Sequence, residues 1–468
     1  MPRAVLNDSP PDPVPLQVTD FEQAREYLHS FVDFEKRGFR RHFADVVNLE
    51  TIRALLAALG HPERRFPVLH IAGTKGKGST AALCEAALRE AGFRTGLYTS
   101  PHLLSMRERI RLDGRPLSEE RVTELVRRLP PAVEAIAAQP ELTPPTFFEL
   151  YTALGFMAFA DAGVDIAVVE TGLGGRLDAT NVVEPLATAI TTVGRDHTDI
   201  LGDSLAQIAR EKAGIIKPGV PLALGRQEQE AEAVILARAQ ELGVPVLLPA
   251  PLLPARKRRA SPPRSGSVRG VSQTVRLETP AGVLAVRLPL LGAHQRDNLA
   301  LAWSALQPLA ERGFPVSPEQ FVRGVERMRW PGRFDVVETR PWLVLDCAHN
   351  VMSLRALART LAESLHYRRL ILVFGMSADK EIAPAAAEVA PLADAVILTQ
   401  AMMHRAQWAS ELTRSTWEVW RVAPHVRWTV AEALAHAREL AAPEDCICVT
   451  GSIFVVGEAL EALGAEVC

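Results

Sequence analysis

The 468-residue chain lacks the features that mark several specialised classes of protein. Its five cysteines are Cys84, Cys347, Cys446, Cys448 and Cys468. This small, odd and scattered set predicts no disulfide framework and indicates a reducing cytoplasm. No apolar run approaches the ~18 residues that span a bilayer, and the N-terminal segment has no signal-peptide core. Because the formal net charge is only −3, we expect a soluble cytoplasmic protein that binds neither membrane nor nucleic acid.

Short apolar runs alternate with longer helical stretches, which is the pattern of a parallel α/β architecture. The length predicts two or three domains. The predicted strands cover residues 68–72, 96–99, 165–170, 187–193, 221–224, 342–346, 369–374, 395–399 and 446–450. The predicted helices of the first half cover residues 79–91, 146–160 and 205–213. We therefore expect two α/β domains with a cleft between them.

Composition sets the expected domain boundaries. Residues 1–18 are rich in proline and are interpreted as a disordered tail. We assign residues 19–330 to the first domain and 331–468 to the second, with 328–340 as the junction. Within the first domain, residues 249–273 carry many prolines and serines and a basic run at 256–259. We interpret this stretch as a flexible surface insertion, with a phosphate or nucleic-acid patch as the alternative. The alternation that follows it predicts a β-hairpin.

Residues 68–79 read VLHIAGTKGKGS, an apolar strand, a glycine-rich loop and the start of a helix. Such a loop brings backbone N–H groups to a polyphosphate, the helix dipole adds to them, and Lys77 supplies a charge. The match to the common phosphate-loop pattern is imperfect, since Ile71 replaces the first glycine and Gly78 separates Lys77 from Ser79. A plain tight turn is the alternative. The order of strand, loop and helix favours nucleotide triphosphate binding.

Charged residues follow two later strands. Glu170 ends a predicted strand and precedes the glycines at 172, 174 and 175. In a parallel sheet, ligands bind beyond the carboxyl ends of the strands, so this carboxylate suits Mg²⁺, although a surface glutamate is the alternative. His197 follows the next strand, and its chemistry leaves metal ligation and a structural role equally open. Lys212 by itself is typical of a helix C-terminus.

Nine motifs then occur in order: GTKGKGS, YTSPH, TFFE, ETGLGGRLDATN, DHTDILG, EKAGIIKPG, GAHQRDN, WPGRF and DCAHN. Together they resemble the folylpolyglutamate synthase/dihydrofolate synthase family, cytoplasmic relatives of the Mur peptide ligases. The resemblance runs from about residue 21 to residue 458. It implies an N-terminal Mur-ligase-like ATPase domain with a phosphate loop and a smaller, Rossmann-like C-terminal domain that binds glutamate.

The resemblance also implies a reaction, a role in folate biosynthesis and one-carbon metabolism, and the usual monomeric state. ATP, with Mg²⁺, would phosphorylate a pterin-linked carboxylate, and the amine of L-glutamate would displace phosphate from the acyl phosphate. The carboxylate would belong to dihydropteroate, to a reduced folate, or to both. The TFFE and LDA motifs favour dihydropteroate.

Site residues follow from the matched motifs. The resemblance implies nucleotide binding by Lys75, Gly76, Lys77, Gly78, Ser79, Asn298, Arg333 and Asp346. It implies metal ligation by Ser100, Glu170, His197 and a carbamylated Lys212, and catalytic roles for Lys77, Lys212 and His349. It implies substrate binding by Thr146, Phe147, Phe148, Glu149, Leu177, Asp178, Ala179 and Ser452. Each phenylalanine suits a core helix as well as ring stacking, Ser452 also suits a helix cap, and the region of residues 46–49 would close over the acceptor pocket.

The chain departs from the family pattern at Lys75, where asparagine is usual, at Cys347, where glycine is usual, and in the basic insertion. Three alternatives stay open. A Mur ligase for a UDP-linked precursor would carry a further N-terminal domain, for which the residues before Gly73 leave no room. A switch or motor NTPase would lack the DCAHN and TGS motifs. A non-catalytic binder would have lost Glu170, His197 or Lys212.

Overall fold

The computed structural model of the chain describes residues 18–33, 48–254, 260, 271–403 and 406–467. The expected tail lies outside these residues except for Val18, which is only 4% exposed and packs in a hydrophobic core. The basic run at 256–259 and most of the expected insertion also lie outside them. No helix among the described residues is long and apolar enough to cross a membrane.

The first domain is built on a mainly parallel sheet with the strand order β4-β3-β2-β5-β1-β6-β7-β8. All pairs are parallel except β2–β3 and β3–β4 at one edge. The strands are β1 (Val68–Ala72), β2 (Thr95–Tyr98), β3 (Ile110–Leu112), β4 (Arg115–Pro116), β5 (Ile166–Glu170), β6 (Ala187–Ile190), β7 (Leu222–Leu224) and β8 (Val246–Leu247). The parallel strands predicted from sequence are present with bounds shifted by at most three residues.

Helices cover both faces of this sheet, because the central strands β1 and β5 bury every residue and offer an apolar surface on each side. The helices are α1 (Phe21–His29), α2 (Glu50–Ala58), α3 (Lys77–Glu90), α4 (Glu119–Val126), α5 (Leu129–Ala137), α6 (Phe147–Ala162), α7 (Thr198–Leu201), α8 (Leu205–Ala213), α9 (Gln229–Glu241), α10 (Ala293–Ala310) and α11 (Pro318–Arg327). The core of one face is centred on α6 and that of the other on α3 and α10.

A small antiparallel sheet of β9 (Leu252–Leu253), β10 (Gln273–Thr279) and β11 (Gly282–Leu288) packs beside α11. The predicted hairpin is therefore present as β10 and β11. Parts of the expected insertion that the structure describes pair with other segments of the chain. Leu252–Leu253 pairs with β10, and Ala260 pairs with Ser364 and His366 of the second domain.

The second domain contains a sheet of order β12-β13-β17-β14-β15-β16, parallel except for the β12–β13 pair. Its strands are β12 (Asp335–Thr339), β13 (Trp342–Asp346), β14 (Leu370–Phe374), β15 (Ala395–Leu398), β16 (His425–Val426) and β17 (Cys446–Thr450). Its helices are α12 (Val351–Ser364), α13 (Ile382–Ala387), α14 (Ala409–Thr416), α15 (Val430–Leu440) and α16 (Ile453–Ala462). The α/β fold class is confirmed. The stretch interpreted as a junction contains β12, an antiparallel strand that was not predicted from the sequence.

Candidate active site

A cavity of about 760 Å³ lies where the first domain meets the second. It is lined by loops that follow β1, β5 and β6 and by residues that follow β13 and β17 of the second sheet. Every site residue expected from the sequence lines this one cavity: Lys75, Gly76, Lys77, Gly78, Ser79, Ser100, Thr146, Phe147, Phe148, Glu149, Glu170, Leu177, Asp178, Ala179, His197, Lys212, Asn298, Arg333, Asp346, His349 and Ser452.

The glycine loop ends at the N-terminus of α3. Gly76 has φ +90°, and no side chain caps the helix, so its first N–H groups are left for a ligand. A Cβ atom at Gly76 would lie 2.3 Å from the side-chain oxygen of Asn298 on α10. The side-chain amide of Asn298 donates to Gln295 at 2.9 Å, which fixes its orientation. The loop therefore has the close backbone approach and free amides that a polyphosphate site needs.

Glu170 lies directly beside this loop. Its carboxylate oxygens are 3.7 Å from the Lys77 ammonium and 3.2 Å from the Ser100 backbone N–H, which donates to it. A Cβ atom at Gly78 would come within 3.2 Å of the same carboxylate. Burial raises the pKa of Glu170, while the Lys77 charge opposes that rise. A nearly buried carboxylate with one lysine at 3.7 Å is well suited to a further cation.

His197 and Asp196 follow β6 on the opposite side of the loop. Burial lowers the pKa of His197 to about 4, so the imidazole is neutral at pH 7 and can act as a ligand. Burial acts to raise the pKa of Asp196, but the charges around it, that of Lys75 foremost, together outweigh burial and keep that pKa well below its usual range. The Lys75 ammonium donates to Asp196 at 2.9 Å.

Lys75 also connects the two domains. Its ammonium lies 3.1 Å from Nε2 of His349, and Asn350 donates to Asp196 at 3.0 Å. His349 Nδ1 lies 2.8 Å from the Cys347 carbonyl. Because a carbonyl only accepts, Nδ1 carries the proton and Nε2 accepts from Lys75. The Lys75 charge, followed by burial, lowers the pKa of His349 to about 3.

Lys212, on α8, is 3% exposed and donates from Nζ to the Gly73 carbonyl at 2.8 Å. Burial and then the neighbouring Lys77 charge lower its pKa from 10.5 to about 7. A substantial fraction of this side chain is therefore a neutral amine at pH 7, which is unusual for lysine. Lys212 lies in the last turn of α8, as expected for a lysine at a helix C-terminus, and its side chain contacts the glycine loop.

The TFFE motif begins α6. Thr146 and Glu149 form a capping box, in which the threonine hydroxyl accepts from the Glu149 N–H at 3.2 Å and the glutamate accepts from the Thr146 N–H at 2.8 Å. Phe147 is 1% exposed and stacks on His29 with ring centroids 5.2 Å apart. Phe148 is half-buried and lies against Gly172. Both rings line the cavity and also pack in the core centred on α6, so each is placed for both of the roles weighed for it.

Asp178 fixes the loop after β5. One carboxylate oxygen accepts from the N–H and the hydroxyl of Thr180 at 3.0 and 2.5 Å, and the other accepts from the Leu173 N–H at 2.8 Å. Burial raises the pKa of Asp178, against these hydrogen bonds. The loop thereby holds Asp178 at the wall of the cavity with little freedom to move.

The second domain supplies the far wall. The Asp346 carboxylate accepts from the N–H groups of Phe334 and Ala348 at 2.7 and 2.9 Å, which orders the turn that carries Arg333. Ser452 accepts from the Phe454 N–H at 3.2 Å as the N-cap of α16, and it also lines the cavity. The cap alternative weighed for Ser452 is therefore correct, and it is compatible with ligand contact.

The sequence interpretation missed several residues that line the same cavity: His29, Thr74, Asp196, His294, Gln295 and Lys380. Thr74, Asp196, His294 and Gln295 lie inside quoted motifs and could have been taken from them. Lys380, whose ammonium is 3.9 Å from Asp196 across the domain boundary, has no motif that would have identified it. Residues 46 and 47, expected to close over the acceptor pocket, lie outside the described residues, but Asn48 lines the cavity.

Two domain families match the chain. The Mur ligase middle domain matches residues 71–306, and the Mur ligase glutamate ligase domain matches residues 332–453. Together they cover both walls of the cavity.

Curated relatives carry related names. The chain is 37% identical to "Dihydrofolate synthase/folylpolyglutamate synthase" of Bacillus subtilis over 77% of this chain and 81% of that protein. It is 34% identical to the protein of the same name from Mycobacterium tuberculosis over 90% of both. It is 39% identical to "Probable bifunctional folylpolyglutamate synthase/dihydropteroate synthase" of Haloferax volcanii over 90% of this chain. The chain spans about half the length of that last relative, with 49% covered.

Solved structures share the fold. The M. tuberculosis folylpolyglutamate synthase complexed with ADP is 32% identical with a TM-score of 0.85, over 96% of this chain and 99% of that chain. A folylpolyglutamate synthase complex with AMPPCP and folate is 28% identical with a TM-score of 0.79, over 95% and 99%.

Proposed function

The chain belongs to the folylpolyglutamate synthase/dihydrofolate synthase family of Mur ligases, ATP-dependent ligases that join glutamate to a folate, and we propose which of its residues carry out each part of that reaction. The observation that carries the assignment is the single cavity that collects the glycine loop, Glu170, His197 and the residues of the second domain. Neither a binding module nor a simple NTPase requires a second domain against its phosphate loop.

In the proposed nucleotide site, the free N–H groups of α3 and the loop Lys75–Gly78 hold the phosphates of ATP, and Lys77 neutralises part of their charge. Asn298, Arg333 and Asp346 hold the nucleotide from the other side. The Arg333 charge already acts on the carboxylates of Glu170 and Asp346, lowering their pKa values against burial. An arginine in this position can take two phosphate oxygens at once.

The donor set fits Mg²⁺. The part of the chain that the structure describes contains no group of three His, Cys, Asp or Glu side chains arranged as a metal site. Mg²⁺ does not need one, because it is commonly held by one or two carboxylates together with phosphate oxygens and water. Glu170, which is buried beside Lys77, would hold the ion with Ser100 and His197. Bound there, Mg²⁺ would neutralise charge on the triphosphate.

Lys212 is proposed to carry a carbamate. Carbamylation joins the neutral amine to CO2 with loss of one proton, and a pKa of about 7 makes that amine available near neutral pH. The product is an oxygen ligand in place of a cation, suited to a second Mg²⁺. The Lys212 Nζ atom lies 2.8 Å from the Gly73 carbonyl, so the negative charge of the carbamate would be placed beside the glycine loop that holds the phosphates.

The acceptor is proposed to lie against Phe147, Phe148 and Asp178, with Thr146, Glu149, Leu177 and Ala179 completing this pocket. Its carboxylate attacks the γ-phosphate of ATP, giving an acyl phosphate and ADP. The amine of glutamate, held near His349 and Ser452, then attacks the carbonyl carbon, and phosphate leaves. The protein contributes by bringing these groups together and by stabilising negative charge as it develops. Stacking on Phe147 and Phe148 would suit the pterin ring of dihydropteroate, which we propose as one acceptor.

The test is a co-substrate experiment. Enzyme with ATP, Mg²⁺, dihydropteroate and L-glutamate should release ADP and phosphate and form an amide, with ADP release only when both co-substrates are present. A parallel assay with tetrahydrofolate distinguishes the first addition of glutamate from extension. Equal ATP hydrolysis without acceptor and glutamate would contradict the ligase assignment and support an NTPase.

A further inference from the structure

A buried histidine outside the described chemistry is linked to the acceptor pocket by two successive hydrogen bonds. His70 lies in the middle of β1, paired with Val169 of β5 and Thr188 of β6, and has no exposed surface. Its Nε2 lies 2.8 Å from the hydroxyl of Thr180, 110 residues away in the chain. Thr180 is itself fully buried. No motif singles out His70, and the proposed reaction gives it no role.

The direction of these hydrogen bonds can be worked out from chemistry. The Asp178 carboxylate accepts the Thr180 hydroxyl proton at 2.5 Å, and its other donors are backbone N–H groups. A hydroxyl has one proton, so toward His70 the Thr180 oxygen accepts and Nε2 donates. Nδ1 then carries no proton. That atom has no hydrogen-bond partner among the described residues, and a bare buried acceptor is tolerated better than a buried orphaned N–H.

The chain of contacts therefore runs from the core of the sheet to the cavity wall. With the His70 N–H on its oxygen, the Thr180 hydroxyl has its proton directed at one oxygen of Asp178. That Asp178 oxygen then accepts from both the N–H and the hydroxyl of Thr180. The second Asp178 oxygen accepts only from the Leu173 N–H, at 2.8 Å. Because each carboxylate oxygen can accept two hydrogen bonds, the second oxygen keeps one lone pair for a donor in the cavity.

We infer that His70 is a positioning residue for the acceptor. Through Thr180 it fixes the orientation of the Asp178 carboxylate, and the free lone pair of that carboxylate receives an N–H donor of the pterin ring. The inference rests on the proposed function, since it assigns the acceptor pocket its orienting carboxylate. It predicts an effect mainly on the acceptor, because neither residue lines the cavity and their side-chain hydrogen bonds lead only to Asp178.

The experiment measures KM for dihydropteroate, ATP and glutamate in variants that remove or keep each hydrogen bond. H70M and T180V remove a donor at similar volume, whereas H70Q and T180S keep one. T180V removes a hydrogen bond to the charged Asp178, and H70M removes the bond that directs the Thr180 proton at Asp178. We expect each to raise KM for dihydropteroate about tenfold, with the other two constants within about twofold. H70Q and T180S should stay within about threefold of the wild type.

T188V is the matched control. Thr188 is a fully buried threonine in the neighbouring strand whose hydroxyl donates to the Pro221 carbonyl, so T188V reports the general cost of such a change. Equal effects of T188V and T180V, or a common rise in all three KM values, would overturn the inference, as would an unchanged KM in H70M. If H70M does not fold, the comparison of KM for dihydropteroate between T180V and T180S tests the inference. Wild-type enzyme that forms no amide with any folate acceptor is a different result, which overturns the proposed function first.

Discussion

Replacing Lys75 with methionine should restore an ordinary titration to His349. The Lys75 ammonium lies 3.1 Å from Nε2 of His349, and its charge is the largest cause that lowers the pKa of that imidazole to about 3. At an effective dielectric constant of about 20, two unit charges at this distance repel by about 5 kcal/mol, enough to lower a pKa by about four. This agrees in size with the fall from 6.5 to about 3.

In K75M the remaining influences oppose one another, since burial lowers the pKa of His349 and Asp196 raises it. We therefore expect a pKa between about 5 and 7 in the variant, whereas wild-type His349 stays neutral down to pH 5. The measurement is an NMR pH titration of nucleotide-free enzyme labelled at histidine Cε1. The chain has 12 histidines, so a His349→Gln variant assigns the resonance.

The matched control is K380M. Lys380 also lowers the pKa of His349, but as the smallest of the causes, and its ammonium lies 3.9 Å from Asp196. Its removal should raise the His349 pKa less than K75M does. If His349 titrates near 6.5 in the wild type, or if K75M leaves it unchanged, the two domains do not hold Lys75 against His349 in solution and the reasoning is refuted.

Three further predictions concern the same site. E170Q should lower turnover at least about a hundredfold without loss of thermal stability. As the control, E85Q changes a buried glutamate of α3 that contacts Arg89 and Thr95, and its turnover should stay within about tenfold of the wild type. An active E170Q would disprove the metal assignment. In CO2-depleted buffer at pH 8, activity should rise when bicarbonate is added, and K212R should not respond; a bicarbonate-independent wild type would argue against the carbamate. Burial lowers the pKa of His70 to about 3, so between pH 6.5 and 3 the native state binds fewer protons than the unfolded chain. The contribution of His70 to stability is therefore complete above pH 6.5 and is lost as the pH falls toward 3. At pH 5 this loss reaches about 2 kcal/mol for His70, and urea unfolding at pH 7.5 and 5 should show wild type losing more than H70Q by that amount; equal losses would contradict the neutral histidine.

Much of the fold could be predicted from sequence because the strands are marked locally. β1, β13 and β17 are short, mainly apolar runs that are buried except at Asp346, and their bounds agree with the prediction. The antiparallel strand β12 was missed, since its residues are all half-buried except Thr339 and its partner is adjacent in sequence across a tight turn. Such strands give neither a long apolar run nor a following helix.

Site residues could be predicted where they lie in a sequence motif. They could not be predicted where their role depends on contacts between the two domains. Glu170 follows a buried strand beside glycines, so its place at the phosphate loop could be inferred. The contact of Lys75 with His349 joins residues 274 apart, and Lys380 approaches Asp196 from a loop without any motif. The hydrogen bond from His70 to Thr180 likewise requires the register of β1 against the loop after β5, which no local pattern encodes.

The most direct test of the account follows oxygen through the reaction. Dihydropteroate labelled with 18O in both carboxylate oxygens is supplied with ATP, Mg²⁺ and L-glutamate, and the released phosphate is analysed by mass spectrometry. Attack of the carboxylate on the γ-phosphate, followed by displacement by the amine, transfers one labelled oxygen to phosphate for each amide formed. The account predicts that ratio of one. Amide formation with unlabelled phosphate would contradict it.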